Sequence, residues 1–250
     1  MSPALLEVEW PAPGEVRAAF TLRGGGVSAA PWDSLNLGAH VGDAPEAVAE
    51  NRSRVAVRLA LPAEPLWLQQ VHGARVHDAD AKSHASAEPA DAIVTRAAGR
   101  VLAIMVADCM PVLFSSLDGQ VIAAAHAGWR GLAAGVLEAT IDAMRVAPGQ
   151  LCAWLGPAIG ARHFEVGEEV RAAFVAVHAD AAAAFTVNER QRWHCDLAWL
   201  ARHRLMAAGV RHIAGADICT YAERERCFSY RRDGRTGRMA ALLWRQGAAC

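Results

Sequence analysis

Apolar residues occur along this chain mainly in short uninterrupted runs, which predict more strands than helices. The predicted strands cover 16–22, 66–71, 92–95, 101–106, 111–117, 120–126, 151–155, 211–214, 227–231 and 238–244, and the predicted helices cover 43–59, 132–145, 166–177 and 196–208. The strands come in groups instead of alternating with helices, so the pattern favours an α+β fold over a doubly wound sheet. No linker divides the chain, and we expect one domain over residues 1–250, with grouped mixed strands and flanking helices.

The two runs PVLFSSL and QVIAAAH flank the dipeptide Asp118–Gly119, which is a strong two-residue hairpin signal. A turn of that length fixes the register, so residues that oppose each other have numbers that sum to the same value. Pro111 is therefore predicted to lie opposite His126. Cys109 then falls just beyond the strand, at the same end of the hairpin.

Helix boundaries and loops are indicated by local polar residues. Asp43, with Glu46 three residues later, predicts a capping box at the start of the first helix. Gly209 is expected to stop the helix over 196–208. The segment 79–89 is polar and rich in alanine, and it is predicted to be a surface loop.

Composition and charge exclude several classes of protein. Hydrophobic residues make up 53%, which excludes a disordered chain, and the net charge of -1 argues against a general basic surface that binds nucleic acid. No apolar run approaches the length of a membrane span, and the first residues do not resemble a signal peptide, so we expect a cytoplasmic protein. The six cysteines form no CxxC pair, which disfavours a zinc ribbon.

Three residues stand where an apolar strand gives way to a turn: His72, Cys109 and His126. Two imidazoles and a thiolate would fill three of the four tetrahedral positions of zinc and leave one for water, as in catalytic sites. The same residues also allow a metal-free interpretation, in which Cys109 is a nucleophile and one histidine its base. A third interpretation makes them ordinary core or surface residues.

Arginines and a glycine-rich loop are candidate phosphate contacts. The loop Arg23–Ser28, followed by Asn36, offers backbone amides and a guanidinium, but it matches neither a P-loop nor a dinucleotide fingerprint. Arg130 is predicted near a helix start, where helix amides favour an anion. Arg231 belongs to an arginine-rich segment that could equally be a solvated hairpin tip.

Several longer motifs together resemble the YfiH family, whose members were first described as laccase-domain or polyphenol oxidase proteins. They are TLRGGGVSAAPWDSLNLGAHVGD and ENR within 21–52, QQVHG at 69–73, ADCMPV at 107–112, AAHAGWRG at 124–131, LGPAIG at 155–160 and FSYRRDGRTGR at 228–238. The resemblance implies a zinc-dependent purine nucleoside phosphorylase and a fold similar to that of cysteine hydrolases. It places His72, Cys109 and His126 at the metal-ligand positions, with zinc as the expected ion and copper as an alternative occupant.

By the same resemblance, the expected activities are phosphorolysis of adenosine, inosine and methylthioadenosine, and deamination of adenosine. We expect Cys109, Asp108 and Arg130 to be catalytic, with Asp108 moving protons. Contacts to phosphate or substrate are expected from four residues: Arg23, Ser28, Asn36 and Arg231. The partners are then purine nucleosides and phosphate, without nucleic acid or membrane.

Three other functions stay open at this stage. One is a cysteine hydrolase that acts on an amide, such as a peptidoglycan precursor, and another is a metal-binding protein without turnover. The third is weak oxidation of polyphenols by copper bound in the Cys/His site. A native multicopper oxidase is disfavoured because the ten histidines include no His-x-His pair.

Overall fold

Two mixed β-sheets pack face to face in the computed structural model, which describes residues 4–81 and 89–247. The first sheet contains, in spatial order, β1 (Leu5–Glu7), β2 (Val16–Thr21), β14 (Met239–Arg245), β6 (Val101–Val106) and β3 (Leu66–Trp67). Its neighbouring strands are antiparallel except for β3, which runs parallel to β6.

The second sheet carries the predicted hairpin at its centre. Its spatial order is β13 (His212–Gly215), β9 (Leu151–Leu155), β7 (Met110–Ser116), β8 (Ile122–Ala127), β5 (Ala92–Thr95) and β4 (Val76–Asp78). The outermost strand on each side runs parallel to its neighbour, and the inner pairs are antiparallel.

A small third sheet, six α-helices and three short 3-10 helices complete the described structure. The sheet is formed by β10 (Glu165–Val166), β12 (Trp193–Cys195) and β11 (Phe185–Val187). The helices are α1 (Pro45–Leu59), α2 (Trp129–Ala133), α3 (Val136–Met144), α4 (Glu168–Val175), α5 (Leu197–Ala207) and α6 (Tyr230–Asp233).

The apolar core lies in three layers separated by the two large sheets. The central layer fills the space between the sheets and includes Phe20 and Trp154, whose ring centroids are 6.3 Å apart. A second layer packs α1 against the outer face of the first sheet. The third and largest layer packs α3, α4 and α5 against the outer face of the second sheet. The α+β class predicted from the strand grouping is confirmed by this arrangement.

Strands β6 and β7 are buried along their whole length because both faces of each sheet are covered. In β6, Ile104 enters the central layer while Ala103 faces α1. In β7, Leu113 enters the central layer while Phe114 packs against the helices on the other side. A strand buried on both faces reads as an uninterrupted apolar run, and this explains the pattern seen in the sequence.

The hairpin register is confirmed. Pro111 pairs with His126, and Gly119 in the turn has a positive φ of 69°. The turn chemistry of Asp118–Gly119 therefore places the start of β7 beside the end of β8, as predicted.

The prediction of a single helix over 132–145 is wrong. Two helices, α2 and α3, occupy this region and meet at Gly135, whose φ is 90°. A residue in the left-handed region cannot continue a right-handed helix, so the chain turns there. The first of the two helices, α2, also begins earlier than predicted, directly after Gly128, which follows β8.

Two further local predictions are wrong. Asp43 does not cap α1, because its carboxylate accepts hydrogen bonds from Ser28 and Asn36. The strand predicted over 227–231 is instead the entry to α6, whose first turn is capped by the Ser229 hydroxyl. The arginine-rich segment is therefore not the tip of a hairpin.

The remaining predicted elements match within a few residues, except that the strand predicted over 66–71 is limited to β3. Most of the loop predicted over 79–89 lies outside the described residues. Within the two described ranges, no helix combines the length and the apolar character needed to cross a membrane.

Candidate metal centre

The structure brings His72, Cys109 and His126 together, with ligand atoms that all lie within 4.8 Å of one another. His72 follows β3, Cys109 stands where the chain crosses from the first sheet to the second, and His126 lies in β8. The two imidazole rings meet edge to face, with centroids 4.8 Å apart. Exposure rises from His126, which is buried, through Cys109 to His72, which is exposed.

A buried carboxylate, Asp91, positions both histidines. It accepts a hydrogen bond from the backbone N–H of His72 at 2.9 Å and another from Gly73 at 2.7 Å. Its Oδ1 also lies 2.8 Å from Nδ1 of His126. The carboxylate thus holds Nδ1–H of His126 and leaves Nε2 available as a ligand, which is the usual support for a metal-bound histidine.

His72 is held in an unusual backbone conformation, with a φ of 63°. A positive φ is costly for a residue with a side chain. The hydrogen bonds that Asp91 accepts from consecutive amides, including that of Val71 at 3.1 Å, offset this cost. The hydrogen bonds to Asp91 therefore hold the backbone of the His72 loop, whatever the His72 ring contacts.

The electrostatics of the group favour a charged thiolate. Burial raises the pKa of Cys109, but interactions with His126 and His72 outweigh it and lower the value to about 6. Burial lowers the pKa of His126, while the thiolate of Cys109 and the carboxylate of Asp91 raise it to about 9. Without a metal, Cys109 and His126 therefore favour a thiolate beside an imidazolium.

The donor set fits a zinc ion. Zinc takes thiolate sulfur at about 2.3 Å and imidazole nitrogen at about 2.0 Å, so donors this close need only small side-chain rotations to converge. One thiolate and two imidazoles leave a fourth tetrahedral position free. The orientation of His126 by Asp91 is the observation that separates this group from an accidental cluster.

Gly128 leaves the space that the thiolate occupies. A Cβ at this position would lie 2.7 Å from Sγ of Cys109 and 3.4 Å from the ring of His72. A separation of 2.7 Å is far below van der Waals contact, so a methyl group would displace the sulfur.

We therefore expect Gly128→Ala to lower zinc affinity by about 10-fold to 100-fold, the range seen when the surroundings of metal ligands are disturbed. Titration with a competing chelator measures this effect. Gly14→Ala is the matched control, because a Cβ there has nothing within 4 Å. Equal zinc affinity in the two variants would contradict the role of Gly128.

The metal group forms part of the wall of a cavity of about 500 Å³. Its other walls are apolar or aromatic residues and several cationic or polar side chains. They include Phe164, Ile159, Leu197, Trp129, Tyr230, Arg130, Arg231, Arg238, His40, Gln70 and Asp108. The cavity is of the size and character of a site for a small organic molecule.

Two of the predicted arginines line this cavity. The Arg130 guanidinium lies 4.5 Å from the centroid of the Trp129 ring. The Arg231 side chain donates a hydrogen bond to the backbone oxygen of Glu165 at 2.8 Å and lies over Phe164. Both guanidiniums keep donors that could contact an anion.

Asp108 also lines the cavity, but its carboxylate already has partners. One oxygen accepts from the Thr220 hydroxyl and the other from the backbone N–H of Arg231, both at 2.6 Å. Its φ of 89° is held by these contacts together with the hydrogen bond from Ile159 to its backbone oxygen. Asp108 thus fixes the crossing that carries Cys109, and its predicted proton transfer stays a prediction.

The other three predicted contacts do not line the cavity. Arg23 forms an ion pair with Asp33 at 2.8 Å. The Ser28 hydroxyl donates to Asp43, and Asn36 is buried and donates to the same carboxylate. The glycine-rich loop is therefore tied into its own network, and a phosphate role for these residues stays a prediction that their contacts do not favour.

Sequence reasoning missed several residues of the site. Asp91 precedes a short apolar run and resembles any strand-initiating aspartate, so only its contacts reveal its role. Arg238 lies in the arginine-rich segment but was not distinguished from its neighbours there. His40 lines the cavity as well, and burial and then the charges of Arg238 and Arg52 lower its pKa.

Comparisons with known proteins match nearly the whole chain. A family model described as multi-copper polyphenol oxidoreductase laccase matches residues 17–246. An Escherichia coli protein named purine nucleoside phosphorylase YfiH is 52% identical over 240 residues, which cover 96% of this chain and 98% of that protein. A Pseudomonas aeruginosa protein, also named a purine nucleoside phosphorylase, is 53% identical over 244 residues, which cover 97% and 99%.

Solved structures show the same fold. The crystal structure of a Neisseria meningitidis protein matches with a TM-score of 0.93 and 47% identity, and the match covers 97% of this chain and 99% of that chain. The structure of a Bacillus licheniformis protein called YfiH matches with a TM-score of 0.88 and 31% identity, with 93% of each chain covered. The span matched by the family model includes His72, Cys109 and His126.

Proposed function

The chain belongs to the YfiH family, whose model is described as multi-copper polyphenol oxidoreductase laccase, and we propose that it is a zinc-dependent purine nucleoside phosphorylase. Two relatives of about the same length that are more than half identical to it carry the phosphorylase name. We propose adenosine, inosine and methylthioadenosine as substrates.

One observation carries the proposal: the Cys/His/His group and three arginines line the same cavity. Phosphorolysis needs an anionic nucleophile held beside a neutral nucleoside, and stabilisation of the purine that leaves. Guanidiniums bind phosphate oxygens through paired donors. Phe164 and Ile159 are largely buried but line the cavity, so their cavity-facing atoms offer a purine ring an apolar contact.

The protein residues have distinct tasks in this proposal. His72, Cys109 and His126 would hold the ion, which when bound supplies a Lewis acid and acidifies a water molecule. Asp91 fixes the tautomer of His126 and the shape of the His72 loop. The guanidiniums at the cavity hold phosphate toward the ribose.

Adenosine deamination is a second proposed activity of the same cavity. It requires a water molecule with a lowered pKa and a group that passes protons to the departing ammonia. Asp108 lines the cavity beside Cys109 and is the carboxylate that we propose for this task. Its two short hydrogen bonds leave each oxygen a further lone pair.

A cysteine hydrolase is the alternative that the geometry also favours. Cys109, His126 and Asp91 form a chain of contacts in which the thiol pKa is lowered and the imidazole is oriented by a carboxylate. That order of groups is the arrangement of a nucleophile, its base and the residue that orients the base. Such an enzyme would keep its activity after chelation, and a peptidoglycan precursor with an amide bond would be the substrate.

The laccase description has little support from the residues. Among the residues that the structure describes, His72, Cys109 and His126 form the one group able to hold a metal ion. A multicopper oxidase needs several coppers, so a single three-ligand group does not suffice. Copper in this group would give at most weak oxidation of polyphenols.

The central experiment is chromatography of adenosine incubated with the protein, with and without phosphate, before and after chelation. We expect adenine and ribose 1-phosphate, formed only with phosphate and lost on chelation until zinc is restored. Inosine would show deamination. Activity on an amide that survives chelation, without any purine product, would favour the hydrolase instead.

A substitution tests the phosphate contacts. We expect Arg130→Ala to raise the KM for phosphate by about 10-fold to 100-fold, because a charged hydrogen bond contributes about 1.5–3 kcal/mol. The KM for adenosine and the zinc content should stay the same. Arg58→Ala, on an exposed site in the last turn of α1, is the control. An unchanged phosphate dependence would remove Arg130 from the site.

A further inference from the structure

A second thiol and imidazole pair lies outside the metal centre. Sγ of Cys219 is 3.4 Å from Nδ1 of His163, and it accepts a hydrogen bond from the backbone N–H of Gly160 at 3.2 Å. The His163 ring is stacked on Tyr221, with centroids 4.6 Å apart and an interplanar angle of 17°. The thiol is thus held between a backbone N–H and an imidazole nitrogen, and stacking on Tyr221 fixes the imidazole in place.

We propose that Cys219 is a redox modification site that forms a mixed disulfide with a small disulfide such as glutathione disulfide, and that the adduct slows turnover at the metal centre. The modification itself stands on the thiol and its neighbours. The effect on turnover rests on the proposed phosphorylase function.

The neighbours of Cys219 suit a thiol that acts as a nucleophile. His163 places an imidazole nitrogen where it can take the thiol proton during attack, and the backbone N–H of Gly160 donates a hydrogen bond to the sulfur. Cys219 and His163 are only half-buried, so a small disulfide can approach. Cys152, Cys195 and Cys227 differ, because each is fully buried and burial raises each thiol pKa, to about 11, 12 and 11 respectively.

The exchange needs no reactant besides the protein and glutathione disulfide. The Cys219 proton passes to His163, and the thiolate attacks one sulfur of glutathione disulfide. The disulfide bond of the reagent breaks and a bond forms between Cys219 and one glutathione. The second glutathione leaves as a thiolate and takes the proton back. Cys219 is oxidised, and the released glutathione is the reduced product.

The contact between Cys219 and Gly160 is tightly packed. A Cβ added at Gly160 would lie 3.2 Å from both Cβ and Sγ of Cys219. A bulky group that enters on this side of the sulfur therefore displaces the segment around Gly160 or the segment around Cys219.

Both of those segments donate a hydrogen bond to Asp108. Ile159, which precedes Gly160, donates its N–H to the backbone oxygen of Asp108 at 2.9 Å. Thr220, which follows Cys219, donates its hydroxyl to the carboxylate of Asp108. Asp108 precedes the ligand Cys109, so a displacement at Cys219 reaches the metal centre through two hydrogen bonds.

The test treats the zinc-loaded protein with glutathione disulfide and maps the adduct by peptide mass spectrometry. Every sample carries Cys250→Ala, because Cys250 lies outside the described residues. We expect an adduct at Cys219 that forms about tenfold more slowly in His163→Gln, since the thiol loses the group that accepts its proton during attack. Phosphorolysis of adenosine should fall at least severalfold as the adduct accumulates and recover with dithiothreitol.

Cys219→Ser separates modification from loss of structure. This variant keeps an acceptor for Gly160 and should retain full activity in the presence of glutathione disulfide. No adduct at Cys219, or a rate that is unchanged in His163→Gln, would overturn the modification site. An adduct that leaves turnover unchanged would overturn the coupling.

If the unmodified protein does not catalyse phosphorolysis, the proposed function is wrong, and the proposal for Cys219 is tested separately. The coupling is then decided by the rate at which iodoacetamide alkylates Cys109 in metal-stripped protein, with and without the adduct. We expect that rate to change severalfold, and equal rates would overturn the coupling.

Discussion

Cys109→Ala should abolish stoichiometric zinc binding and lower phosphorolysis by about 10²-fold to 10³-fold, because a bound metal contributes several kcal/mol to the reaction. Cys109 is the thiolate of the group, and its sulfur is held between two imidazoles. Removing it leaves two imidazole ligands, which are too few to bind zinc tightly. Elemental analysis of the purified variant and the rate of adenine release measure the two effects.

His72→Ala decides between the two chemistries that this geometry allows. If the group binds zinc, His72 is a ligand, and its loss should lower metal content and activity nearly as much as Cys109→Ala does. If Cys109 is instead a nucleophile, His126 is the better placed base, because Asp91 orients it, and His72→Ala should cost far less.

A control for both variants is Cys152→Ala. Cys152 lies in β9 and does not line the cavity, and its thiol donates to the backbone oxygen of Ser115. The variant should keep zinc and activity. Loss of zinc in this control would mean that the assay reports folding instead of ligation.

The sequence was informative where short-range chemistry decides the structure. Asp118–Gly119 sets the hairpin register, and that register places His126 and Cys109 at one end of the second sheet. It could not show how His72 reaches them, because that depends on a carboxylate that follows it by 19 positions and accepts its backbone N–H. Contacts between distant segments have no local pattern to reveal them.

The site predictions that the contacts do not favour have the same origin. The loop around Arg23 has the composition of an anion site, but Asp33, ten positions later, already neutralises the guanidinium. Asn36 resembles a ligand-binding amide in a polar loop, yet it is buried and its amide oxygen accepts the backbone N–H of Arg238. Composition shows which groups are present, and only the fold shows which of them are already satisfied.

Asp91→Asn should weaken zinc binding by about 10-fold to 100-fold, because the residue that orients a metal-bound histidine tunes its affinity. An asparagine keeps the size of the side chain but replaces one acceptor oxygen with a donor. It cannot accept from Gly73 and Val71 on one side while it also holds His72 and His126 on the other. At least one buried donor then loses its partner.

The same substitution should lower the free energy of unfolding of the metal-free protein by about 2–4 kcal/mol, the cost of one or two unpaired buried donors. Urea denaturation without metal measures this loss separately from zinc affinity, which is measured with a competing chelator. Asp78→Asn is the matched control, since that carboxylate is exposed and its ion pair with Arg96 is at the surface.

If Asp91→Asn lost stability but kept full zinc affinity, the carboxylate would act only as a brace for the loop that carries His72. If it lost affinity and kept stability, the hydrogen bond to His126 would be its only important contact. We expect both losses, because one buried carboxylate accepts hydrogen bonds from both histidines. Metal binding and the stability of this part of the protein should therefore be coupled through a single side chain.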